Sequence, residues 1–126
     1  MAQTVPVAIP GRALTVQAGV GAYNLALGIQ QQNAQGNNQT RGQYTGLAVY
    51  DSVGVGVLVT FAVFRDAGLT DLVHEFQVLW PGGASSAEDE PRIPKHFFAG
   101  LWVACWSAVG GQTFRCTPDL LHVAGV

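Results

Sequence analysis

Three runs of β-branched and aromatic residues constrain the fold of this chain more than any other feature. They span Tyr44 to Asp51, Val55 to Arg65 and Leu72 to Trp80, and turn residues bound each of them. No window keeps the three-to-four spacing of an amphipathic helix without an interrupting glycine or proline, whereas β-branched and aromatic residues favour strands. We therefore predict an all-β protein, a small antiparallel β-sandwich or barrel.

The alternation of apolar and polar residues within two of these runs predicts which faces of the strands are buried. Both alternating sets of residues 55–65 are largely apolar, which predicts cover on both faces, and another subunit could supply one cover. In residues 72–80 the set that contains His74 is apolar, whereas the opposite set contains Glu75 and Gln77. This pattern predicts a half-buried strand, with His74 on its apolar face and both of its ring nitrogens hydrogen bonded.

The other segments of this 126-residue, single-domain chain carry weaker signals. Prolines and glycines punctuate residues 1–28 and predict an extended N-terminal arm or edge strands, whereas residues 44–126 supply the β core. Residues 29–43 are dominated by Gln, Asn and Gly, which predicts an exposed loop. Residues 81–95 predict a second long loop, with a helical turn where Ser85 and Glu88 fit a capping box. The arm contributes four interface candidates: Val5, Val7, Ile9 and Leu14.

A C-terminal β-hairpin centred on Gly110-Gly111 is the most specific local prediction. A two-residue turn there places Cys105 directly opposite Cys116, at a separation that a disulfide accepts. The pair forms a disulfide in an oxidising compartment or two facing thiols in a reducing one, and the spacing does not choose between them.

The same hairpin register places Trp102, Trp106 and Arg115 on one face. These residue types are enriched at protein–protein hot spots, and an arginine can stack on an indole ring. The alternative interpretation is ordinary core packing with Arg115 at the rim of the core. We retain the three residues as interface candidates.

Chemical motifs are scarce. The three histidines lack the paired spacing of local zinc motifs, and the acidic triplet Glu88-Asp89-Glu90 lacks the spaced oxygen ligands of a calcium loop. The sequence contains neither a nucleophile elbow nor a complete phosphate-binding glycine loop. We therefore predict no catalytic site, no metal and no cofactor, and expect a protein that is not an enzyme.

Composition indicates partners rather than substrates. Hydrophobic residues make up 48% of the chain and charged residues only 11%, so some apolar surface should contact another subunit. A net charge of −2 argues against nucleic acid, and the longest apolar stretch, Val53 to Phe64, is too short to span a membrane. Because the N-terminus shows no secretory signal, we expect synthesis in a cytosol.

Residues 78–100 contain, in order, Val78-Leu79-Trp80-Pro81, Ala84-Ser85, Arg92 and Phe98-Ala99-Gly100. This segment resembles the head-decoration proteins of lambda-like tailed phages, whereas the residues from Leu101 onward extend beyond the point where that family ends. It implies a β-rich protein that trimerises on the outside of a capsid and clamps the lattice of the major capsid protein with its N-terminal arm.

Together these features predict a virion structural protein, most specifically a capsid decoration or other virion-surface subunit. Its partners would be copies of itself, with a trimer favoured, and the major capsid protein lattice. The alternative function is a β-sandwich module that binds carbohydrate or a cell surface, as a lectin or adhesin does.

Overall fold

A computed structural model describes residues 6–9, 13–20, 26–29, 31–32, 38–39, 41–54 and 56–123. Every regular element in these ranges is a strand, which confirms the predicted all-β class. The strands are β1 (Pro6–Ile9), β2 (Leu14–Val20), β3 (Ala26–Ile29), β4 (Gln31–Gln32), β5 (Asn38–Gln39), β6 (Gly42–Asp51), β7 (Leu58–Phe64), β8 (Leu72–Leu79), β9 (Ser85–Asp89), β10 (Lys95–Phe97), β11 (Leu101–Ser107) and β12 (Thr113–Val123).

Ten of these strands form one mixed sheet that folds into a nearly closed, sandwich-like barrel. The first layer contains β9 and β10 along one edge of β6, then β12, then β1 and the first half of β2. The second layer contains the rest of β2 with β3, then β11, β7 and β8. Aromatic residues from both layers meet in the core, where the Phe114 ring packs edge-on against Phe61 and Trp80.

Strand β2 joins the two layers. Its first half, from Leu14 to Gln17, pairs antiparallel with β12, whereas Ala18 to Val20 pair parallel with β11. Val16 and Ala18 are buried, so this segment is an interior strand and the prediction of edge strands throughout residues 1–28 is wrong here. Because β2 and β11 run parallel, the sheet is mixed rather than purely antiparallel.

The predicted C-terminal hairpin is also wrong, because β2 lies between β11 and β12. Cys105 pairs with Ala18, and Cys116 pairs with Leu14. The loop that contains the two glycines hydrogen bonds to β2 instead of closing a hairpin. The Gly111 amide donates to the Ala18 carbonyl at 3.1 Å, and the Ala18 amide donates to the Gln112 carbonyl at 2.7 Å. The predicted two-residue turn is therefore absent: Gly110 and Gly111 lie in a longer loop whose backbone hydrogen bonds go to a third strand.

Strand β7 has the two-sided burial that its sequence predicts. Residues 59–64 are all buried between β8 and β11. One face enters the main core, and the other face, with Ala62 and Phe64, packs with Ala104, Leu69 and Trp106. The chain thus buries both faces of this strand without the second subunit that we considered for one of them.

Two predicted loops contain strands. Residues 85–89 form β9 instead of a helical turn, because the edge of β6 offers them a backbone ladder from Ser85–Asp51 to Asp89–Leu47. Within residues 29–43, the short strands β4 and β5 pair Gln31 with Gln39 as a separate two-stranded sheet.

Candidate interaction surfaces

A hydrogen-bonded network of three side chains links the free edges of the two layers. The Tyr44 hydroxyl lies 2.8 Å from His74 Nδ1, and His74 Nε2 lies 2.8 Å from Asp89 Oδ2. The network therefore runs from β6 through β8 to β9, and both ring nitrogens of His74 are satisfied, as predicted. No local signal identified Tyr44 or Asp89 as its partners, because they lie 30 and 15 residues away in the sequence.

The order of groups in this network resembles the one that activates a hydroxyl nucleophile. Unlike such a nucleophile, however, the Tyr44 hydroxyl group is not accessible to a substrate. Burial raises the pKa of Tyr44, so the hydroxyl group keeps its proton. The Asp89 carboxylate can only accept, so in the neutral imidazole Nε2 carries the hydrogen and Nδ1 accepts the hydrogen bond from the Tyr44 hydroxyl group. Nε2–H then donates to the Asp89 carboxylate, the arrangement that orients the histidine of a catalytic triad. However, Tyr44 is 0% exposed, so a substrate cannot reach the hydroxyl group. The geometry supports a link between strands.

Arg65 forms a second link between the layers. Its Nε donates to the carbonyl of His96 at 2.6 Å, and its Nη1 lies 3.1 Å from Asp71 Oδ1. His96 itself is exposed, as predicted, and its ring contacts Gln43 at 3.3 Å. The side chain of His122 lies outside the described residues.

The two cysteines are buried free thiols in the main core. Burial raises the pKa of Cys105 to about 12 and raises the pKa of Cys116 as well. The structure therefore contains two unreactive core thiols on strands that are not neighbours, in place of the predicted cross-strand pair.

The predicted tryptophan–arginine face is divided between the two layers. Trp106 pairs with Thr60 and Gly19 in the second layer, whereas Arg115 pairs with Tyr50 and Thr15 in the first layer. Trp102 and Trp106 do share the outer face of β11, and both are half-buried. The prediction placed Trp106 opposite Arg115 only because it assumed the hairpin register.

The N-terminal interface candidates are similarly placed by pairing. Leu14 packs against the main core, so this side chain already has an intramolecular partner. Val7 and Ile9 pair through their backbones with His122 and Leu120 of β12. Val5 lies outside the described residues.

A row of four exposed side chains crosses the outer face of the first layer. Register pairs Ser86 with Tyr50, Tyr50 with Arg115, and Arg115 with Thr15, on the strands β9, β6, β12 and β2. Tyr50 and Arg115 form the ridge at the centre of this row. We call it the Tyr50–Arg115 row.

An open depression lies on each side of this ridge. The first, of about 310 Å³, has Ala48 in its lining together with Ser86, Glu88 and Thr117. The second, of about 330 Å³, is lined by Thr15, Asp51, Ser52 and Thr113. Together the two depressions place five serine and threonine hydroxyl groups and two carboxylates around one aromatic ring and one guanidinium group.

One end of the sandwich is formed by residues 52–54, 56–58, 79–84 and 108–112, which we call the loop end. None of these three loops contains a charged residue. Backbone hydrogen bonds connect two of them, since the Trp80 amide donates to the Val57 carbonyl at 2.9 Å and the Gly56 amide donates to Pro81 at 3.3 Å. The Gln112 side chain donates to the Val53 carbonyl at 2.9 Å and to the Asp51 carboxylate, so the third loop is attached as well.

Aliphatic side chains project from the loop end and its margin. Leu79, which pairs with Leu58 at the ends of β8 and β7, is 73% exposed, and Val53 is 61% exposed. Leu58 and Val109 are exposed as well. A charge-free surface with four exposed aliphatic side chains is typical of a contact with another macromolecule.

Neither a family model nor a curated protein matches the chain. Among solved structures, it is similar to a chain in a structure of infectious bursal disease virus, Gx strain, at 12% sequence identity and a TM-score of 0.43. The match covers 98% of this chain and 34% of that one, so this chain spans about a third of the length of the chain that it matches. Among the described residues, no helix is long and apolar enough to cross a membrane.

Proposed function

We propose that this chain is a non-catalytic structural protein of a virus particle, specifically a capsid decoration or other virion-surface subunit. The observation that carries the proposal is the charge-free loop end with its exposed aliphatic side chains. A surface of this kind suits protein–protein contact and offers no chemistry for catalysis.

The size of the loop end favours a repeated contact. Complete burial of one Val or Leu side chain stabilises a contact by about 1.5–3 kcal/mol, so four of them contribute about 6–12 kcal/mol. The loss of translational and rotational freedom on association costs about 4–15 kcal/mol. One loop end therefore binds weakly by itself. Several copies held together on a symmetric lattice bind much more tightly, because each later contact forms within the same assembly.

The partners in this proposal are other copies of the chain, with a trimer favoured, and the lattice of the major capsid protein. The segment that resembles the phage head-decoration proteins contributes directly to the loop end, because it supplies Leu79 and Pro81 to the surface and buries Trp80 beneath them. We propose the virion as the location after synthesis in a host cytoplasm, and no role in binding nucleic acid or membrane.

Co-sedimentation with virus particles from the natural source tests this function. Leu79→Glu should abolish co-sedimentation, because it places a charge in the contact that excludes water. Ile93→Glu is the matched control, since Ile93 is 64% exposed in the loop between β9 and β10, outside the loop end. It should co-sediment like the unaltered chain. Failure of the unaltered chain to bind particles, or equal binding of Leu79→Glu, would contradict the proposal.

A further inference from the structure

We infer that the outer face of the first layer binds a carboxylate-bearing saccharide, with Tyr50 and Arg115 at the centre of the site. This inference goes beyond the proposed assembly role and does not depend on it, because its central residues Tyr50 and Arg115 lie on strand faces outside the loop end.

The guanidinium group of Arg115 is available to a ligand. Within the part of the chain that the structure describes, it makes no ion pair. The carboxylates that line the two depressions form no ion pair with Arg115 in the described part of the chain: Asp51 accepts a hydrogen bond from Gln112, and the neighbouring Asp119 raises the pKa of Glu88. An exposed arginine in this state matches the two oxygens of a ligand carboxylate.

The groups around Arg115 indicate a polyhydroxylated ligand. Ser86 and Thr117 line one depression, and Thr15, Ser52 and Thr113 line the other. Each hydroxyl group both donates and accepts a hydrogen bond, as the hydroxyl groups of a sugar do. The Tyr50 ring, 47% exposed on the ridge, offers an apolar surface to the carbon–hydrogen face of a sugar ring and a hydroxyl group at its tip.

Other ligand classes fit less well. A peptide that adds as a strand needs an unpaired sheet edge, but both edges of β6 and β12, the strands that carry Tyr50 and Arg115, are already paired, and the free edge of β9 lies to one side of them. Nucleic acid requires many cations, whereas this row has one. A small apolar ligand requires a concave site that removes most of its surface from water, and these depressions are open.

Titration of the full chain with trigalacturonate tests the inference, with the neutral galactose trisaccharide of the same linkage as the comparison ligand. We expect saturable binding of trigalacturonate and much weaker binding of the neutral sugar. Arg115→Gln and Tyr50→Ala should each weaken trigalacturonate binding by about tenfold or more, as expected for loss of a charged hydrogen bond or a stacked ring. Arg92→Gln removes the same charge from the β9–β10 loop and should leave binding unchanged.

Arg115→Lys keeps the experiment decisive if Arg115→Gln does not fold. It retains the positive charge but loses the planar pair of donors, so binding should weaken while folding is preserved. Three results would overturn the inference: no saturable binding at millimolar trigalacturonate, equal binding of the neutral trisaccharide, or an equal loss of affinity in Arg92→Gln.

Discussion

Two tyrosines of β6, Tyr44 and Tyr50, lie on opposite faces of the strand and have different roles. Tyr44 is fully buried and donates to His74, whereas Tyr50 stands on the outer face beside Arg115. Strict alternation would place both on the same side of β6, since six residues separate them. A β-bulge lies between the two tyrosines and shifts this alternation by one residue. Gly46 pairs with Asp119 of β12, and Tyr44 pairs with Leu120, so Thr45 has no partner in the register.

The buried hydroxyl group of Tyr44 provides a prediction at this scale. Tyr44→Phe removes the donor to His74 Nδ1 and leaves a buried ring nitrogen without its partner, so the free energy of unfolding should fall by about 1–3 kcal/mol. Urea denaturation measures this change. Tyr50→Phe is the matched control, because the same atom is removed from an exposed ring, and it should alter stability by less than about 0.5 kcal/mol. Equal effects of the two substitutions would show that the Tyr44–His74 bond does not stabilise the fold.

At the scale of the elements, the loop end depends on close contact between two loops. The backbone of Gly54 lies against residues 81–83, and a Cβ atom at this glycine would lie 2.1 Å from the Gly83 nitrogen and 2.2 Å from the Pro81 oxygen. Both obstacles are backbone atoms, which cannot rotate away as a side chain can. The β6–β7 and β8–β9 loops therefore require a glycine at this contact.

Gly54→Ala should consequently destabilise the protein by about 1–3 kcal/mol, the usual cost of overpacking, or by more if the loops separate. Gly82→Ala provides the control in the facing loop, because a Cβ atom there meets nothing within 4 Å. It should be neutral or stabilise by up to about 1 kcal/mol through the unfolded state. Thermal unfolding of the two variants checks the contrast, and a neutral Gly54→Ala would mean that the loops do not pack in this way.

For the whole molecule, β2 is the segment that completes the barrel. It joins β12 of the first layer to β11 of the second, and its residue Val16 is 0% exposed in the core. The sequence favoured an extended arm or edge strands in this region, because prolines and glycines surround short apolar segments. The topology makes part of that arm a component of the core.

Deletion of residues 2–16 should therefore prevent folding. It removes β1 and the first half of β2, and so leaves one edge of β12 without its ladder partners. Far-ultraviolet circular dichroism and the loss of a cooperative thermal transition measure the outcome. Deletion of residues 2–5 retains every described strand and should preserve the transition. A cooperative transition in the longer deletion would mean that β2 is dispensable.

Local patterns in the sequence were sufficient to identify the all-β class, the central strands β6, β7 and β8, the cover on both faces of β7 and the satisfied state of His74. Each depends on alternation within about ten residues, which a strand imposes by itself.

Pairing between distant strands was decided only by the tertiary structure. The insertion of β2 between β11 and β12 separated Cys105 from Cys116 and Trp106 from Arg115, and it brought Tyr50 beside Arg115 on the first layer. The edge of β6 likewise made a strand of residues 85–89. No local signal encodes these pairings, because a strand accepts any partner of suitable pattern, and burial over the whole chain selects among them.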